Sequence, residues 1–177
     1  MWMQLTWVQR TGSKVRKVKI AQILMFILAA AGPLAGHTEP ARPLSEAHAK
    51  MLQAKLAHDW APTNTNATQM QSGLDHSTIE YEWLSAILET SNNAEAALDH
   101  VLTLAIIYQR LRCSDDRSEL LNWLPGDLKH AKGELDSAVE TANQALANLT
   151  APAVISEAQK LRDLLQYFRQ DLSEYSY

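Results

Sequence analysis

The chain has 177 residues, 46% of them hydrophobic, with 16 Lys and Arg against 20 Asp and Glu for a formal charge of −4. A single cysteine, Cys113, excludes an intrachain disulfide, so stability has to come from packing. The charge is unevenly spread: five of the basic residues (Arg10, Lys14, Arg16, Lys17 and Lys19) precede Ile20, whereas every Asp and Glu lies at Glu39 or beyond.

The basic cluster at 14–19 leads into an apolar run from Ile20 to about Ala31, and Gly32-Pro33 then breaks it before the polar stretch 37–40. This is the tripartite pattern of a secretory signal. A membrane-spanning helix needs roughly twenty apolar residues, and Gln22, Gly32 and Pro33 leave this run short of that. Residues 1–36 are therefore expected to be a leader, cut after Ala31, Ala35 or Gly36, with an uncleaved inner-membrane signal anchor as the alternative. Trp2 and Trp7 precede the basic cluster, where no signal requires them, which suggests a true start at Val15 or Val18. No Cys lies near the end of the apolar run to carry a lipid. In both cases the rest of the chain is exported, to the periplasm or beyond the cell.

Without the leader, 11 Lys and Arg face 20 Asp and Glu, a formal charge of −9. So acidic a domain is a poor match for nucleic acid or for an anionic lipid surface. About 140 residues suffice for one core.

From residue 44 onward the apolar residues recur at helical spacing, and no alternating β-branched run appears. The expected fold is all-α, a small bundle of about five helices. The first helix spans 44–60 with Leu44, Met51, Leu52 and Leu56 on one face, and 61–73 reads as a polar linker that leaves this helix loosely held or exchangeable between copies. These two segments form the unit 37–73, and 74–177 forms the bundle core. A second helix starts at Ser77, with Glu80 completing a capping box, and ends at Ser91-Asn-Asn93. The third, capped by Asn92 and running to Leu111, is apolar nearly all round and is expected at the centre.

Ser114-Asp-Asp116 opens a short helix that holds Leu120, Leu121, Trp123 and Leu124 and closes at Pro125-Gly126. Asp127 then caps a long helix with Leu128, Ala131, Leu135, Ala138, Ala142, Ala145 and Leu149 at alternating steps of three and four. That is a heptad seam suited to close antiparallel packing. After the turn at 150–152, Ile155, Ala158, Leu161, Leu165, Phe168 and Leu172 form the facing stripe, so the chain ends in a heptad-patterned antiparallel helical hairpin.

The chemistry-bearing residues are sparse. Asp127, His130 and Glu134 share one face of the long helix, and His76 with Glu80 forms an i, i+4 pair; either set could ligate a transition metal. Capping explains Asp127, and solvated helices commonly carry carboxylates beside His, so no metal site is assigned. His48 reads as a half-exposed boundary residue and His100 as a satisfied buried imidazole. Cys113 reads as a small apolar residue at a helix junction, with Arg110, Arg112 and Arg117 favouring a thiolate and Asp115 and Asp116 opposing it. Two glycosylation sequons, Asn66-Ala-Thr68 and Asn148-Leu-Thr150, carry weight only in a eukaryotic secretory protein.

No nucleophile elbow, phosphate loop, His-Glu-x-x-His or Cys-x-x-Cys-His occurs. No catalytic, cofactor-binding or metal residues are assigned, and no cofactor is expected. The expectation is a non-enzymatic exported protein that binds a protein partner, as an envelope accessory, chaperone-like or immunity or inhibitor protein, with homodimerisation through Cys113 or the first helix as a further option. A metal- or haem-binding bundle is the alternative.

Overall fold

A computed structural model describes residues 42–177, and the leader with its cleavage positions lies outside them. These residues are all-α and belong to one compact unit. In chain order they form α1 (Glu46–Lys55), a π-helical turn (Leu56–Trp60), α2 (Ala61–Ser72), α3 (Ile79–Arg110), α4 (Ser114–Asn148) and α5 (Pro152–Ser173).

Ser45 caps α1 by accepting from the His48 N–H. The helix does not stop at Trp60, and the expected polar linker is itself helical. Pro62 lacks an N–H and would break an ordinary α-turn. Here the widened turn sends the Ala61 N–H to the Leu56 carbonyl and sets Pro62 in the first turn of α2, where that loss is tolerated. Hydroxyls of Thr63, Thr65 and Thr68 then donate to the carbonyls of Asp59, Ala61 and Asn64, four residues back. The first helix is not loosely held either: Leu44, Ala49, Leu52, Leu56 and Trp60 are all buried, and Trp60 packs on Phe168 with ring centroids 5.3 Å apart.

Asp75 organises the following turn by accepting from the backbone N–H and hydroxyl of Ser77. Thr78, not Ser77, caps α3, accepting from the Tyr81 N–H. The expected break at Ser91-Asn-Asn93 does not occur. Leu84, Ile87, Ser91, Ala94, Leu98, Val101 and Ala105 are buried at steps of three and four, so Ser91 occupies a position in an unbroken seam. Its hydroxyl has no partner. Asn92, instead of capping, accepts from Asn64 on α2 at 2.6 Å.

A second expected break is likewise absent: Pro125-Gly126 lies inside α4. Leu124 stands four residues before Leu128, and that step continues the seam across the proline. The lost hydrogen bond would run to the carbonyl of Leu121, on a partly exposed turn where water can take its place. Every seam residue from Leu128 to Leu149 is buried as expected, and α5 faces it with Ala158, Leu161, Leu165, Phe168 and Leu172, joined by Val154.

Helices α3, α4 and α5 succeed one another antiparallel through short turns. His100 on α3 meets Asp127 on α4, and Arg169 on α5 meets Asp136 on α4. The α1–α2 rod packs on α3 and α5, with Glu46 beside Arg110 at one end and Gln71 beside Ser85 towards the other. Helix α3 is central in that α1, α2, α4 and α5 all pack on it, although Ile107 remains exposed.

Candidate interaction surface

The first third of α4 runs past the well-buried part of the bundle: residues 114–119 and 121–123 are exposed, and burial begins at Leu124. Trp123 keeps 64% of its surface in solvent. Seven-residue spacing places Asp116, Trp123 and His130 on one face, with Glu119, Asp127 and Glu134 beside them. Helix α3 extends this face. His100 Nε2 lies 3.5 Å from Asp127 Oδ2, and Ile107, also exposed, stands seven residues after His100. The His130 to Glu134 contact is 3.7 Å.

Among the described residues, Asp116, Glu119, Asp127 and Glu134 have no Lys or Arg ion-pair partner. Six carboxylates elsewhere among these residues do pair with Lys or Arg: Glu46, Asp59, Asp136, Glu157, Asp163 and Glu174. Glu46 accepts from Arg110 and pairs with Lys50, and that hydrogen bonding holds its carboxyl down at about 2. Trp123 therefore sits among four carboxylates, two of which, Asp127 and Glu134, meet an imidazole.

His100 is not the buried imidazole expected from its position on α3: it is exposed and faces Asp127. Asp127 is accordingly a mid-helix residue and not a cap. The second candidate pair separates, since His76 stacks on Tyr81 at 4.2 Å while Glu80 accepts from Thr150 at 2.7 Å, a bond that lowers its carboxyl pKa. Among the described residues no group of three or more His, Cys, Asp and Glu side chains is placed to hold a metal ion. No family model matches this chain, and neither does any curated protein or solved structure.

Cys113 is exposed in the N-cap position of α4, where its side chain makes no capping bond. Two of its cationic neighbours are engaged elsewhere: Arg110 with Glu46, and Arg117 over the Tyr108 ring at 4.5 Å. Asn66 lies exposed on α2 rather than in a linker, and Asn148 closes α4 with its amide donated to the Gln144 carbonyl.

His48 acquires partners that its own stretch of chain did not suggest. Its Nε2 lies 2.6 Å from Asp171 Oδ1, and its ring lies 5.3 Å from that of Tyr175. It belongs to a clasp in which the last residues hold the segment before α1. Arg42 pairs with Glu174, the Ser176 N–H donates to the Arg42 carbonyl, and the Tyr177 hydroxyl accepts from the Leu44 N–H while its ring meets Tyr108 edge-on. Burial pushes the Tyr177 hydroxyl pKa up. Lys132 joins from α4, donating to the Tyr175 carbonyl at 2.7 Å. The only sequence signal for this clasp is the aromatic tail Tyr175-Ser-Tyr177, which helical periodicity leaves unused.

Proposed function

We propose that this is an exported, non-enzymatic protein that acts by binding a protein partner through the Trp123 face of the α3–α4 hairpin. The leader pattern at 14–36 supports export, and envelope accessory, chaperone-like and immunity or inhibitor roles all fit such a domain. The observation that carries the reading is Trp123, exposed by 64% among carboxylates without Lys or Arg partners. An accessible tryptophan supplies a large, rigid contact area and is the residue type most often found to dominate an interface. The surrounding negative field steers a basic partner and disfavours acidic ones.

The test is a photo-crosslinking residue placed at position 123 and, as a control, at exposed Asn143 on the far half of α4, in the full chain expressed in its native host. One defined adduct in the exported fraction, formed from 123, absent from 143 and lost when Asp116 and Glu119 are changed to Lys, is the expected result. Equal labelling from both positions, or adducts indifferent to the charge reversal, would sink the reading.

A further inference from the structure

On the other side of α4, away from the acidic face, Lys129 and Lys132 stand one helical turn apart and line the same hollow of about 220 Å³. Pro125 and Leu128 on α4 and Tyr175, Ser176 and Tyr177 from the C-terminal tail complete its walls. Neither lysine has a carboxylate within ion-pair distance among the described residues. They remain without one in a domain in which acidic groups outnumber basic ones 20 to 11 beyond the leader. Lys132 is partly buried, and that burial depresses its pKa. Of its three ammonium donors one goes to the Tyr175 carbonyl. A second hollow, of about 270 Å³, opens on its other side between Asp136, Gln166, Arg169 and Ser173.

A partly desolvated ammonium without a counter-charge carries a cost, and an anion beside it reduces that cost. The remaining walls set the rest of the ligand. Two tyrosines, a proline and a leucine give mostly apolar surface suited to one flat ring or a short chain. We infer that the hollow between α4 and the tail is a binding site for a small amphiphilic carboxylate, its carboxylate held by Lys129 and Lys132 and its apolar body laid against Pro125, Leu128, Tyr175 and Tyr177. Because the tail residues that wall the site also clasp the segment before α1, occupancy tightens the clasp. The site is independent of the Trp123 face.

Calorimetric titration of the full chain with 3-phenylpropionate tests this, with 3-phenylpropanol and inorganic phosphate as comparison ligands. The acid should bind at least about tenfold more tightly than the alcohol, a difference that one charge-assisted contact supports, and by a similar factor more tightly than phosphate, which has no apolar body to lay on the walls. Lys129→Gln, at an exposed residue with no structural partner, should weaken binding of the acid by about the same factor while leaving the melting temperature unchanged. Lys132→Gln should abolish binding, and Lys132→Arg should partly restore it. Equal affinity for the alcohol removes the role of the lysines, and equal affinity for phosphate removes that of the apolar walls. Either outcome, no binding of the acid, or unaltered binding in Lys129→Gln overturns the inference.

Discussion

Glu95 is a carboxylate whose surroundings oppose its charge. Burial raises its pKa above the ordinary 4.5, the Asn64 amide opposes that rise, and the nearby charge of Asp99 adds to it. A carboxyl whose pKa is raised by folding contributes stability that is fully present below 4.5 and is lost as pH rises through the folded-state value. Glu95→Gln should therefore raise the urea midpoint at pH 7 and leave it nearly unchanged at pH 4, and an equal gain at both would show that charge is not the cause. Glu46 has the opposite sign. Its contribution is present above 4.5 and lost as pH falls through about 2, so it belongs to the acid limb of the stability profile. Neither behaviour is visible from residue type. The leading cause in each case is tertiary: Arg110, 64 residues away in the chain, for Glu46, and burial in the bundle for Glu95.

At the scale of the helices, two breaks expected from Ser91-Asn-Asn93 and Pro125-Gly126 are spanned by continuous helix. In each case a local preference of about 1–3 kcal/mol is outweighed by the burial of a seam that continues on both sides. The signal was present. The steps from Leu84 to Ala105 and from Leu124 to Leu149 alternate three and four throughout, so heptad phase predicted continuity better than turn composition did. The cost of the glycines remains recoverable. Nothing lies within 4 Å of a Cβ added at Gly126 or Gly133. Gly126→Ala and Gly133→Ala should each stabilise the fold by about 0.5–1 kcal/mol in chemical denaturation, and additively, since the sites are about two turns apart.

For the whole molecule, the bundle is closed by contact between its two ends. The Tyr177 ring and hydroxyl meet Tyr108 and the Leu44 backbone, and Arg42 and His48 meet Glu174, Ser176, Asp171 and Tyr175. Tyr177→Ala should cost about 2 kcal/mol in equilibrium unfolding, and Tyr177→Phe, which keeps the ring and loses only the hydrogen bond, about 1 kcal/mol or less. Equal losses would mean that the ring contributes nothing to the closure. The α4–α5 hairpin, the all-helical character and the acidic balance were legible in the residues alone, because helical period, heptad phase and charge are properties of neighbours in the chain. The partners of His48 and His100, the helical state of 61–72, the exposure of Trp123 and the hollow beside Lys132 were not. Each depends on groups that only the packed bundle brings together, and there a buried seam or a distant side chain outweighs what the local sequence prefers.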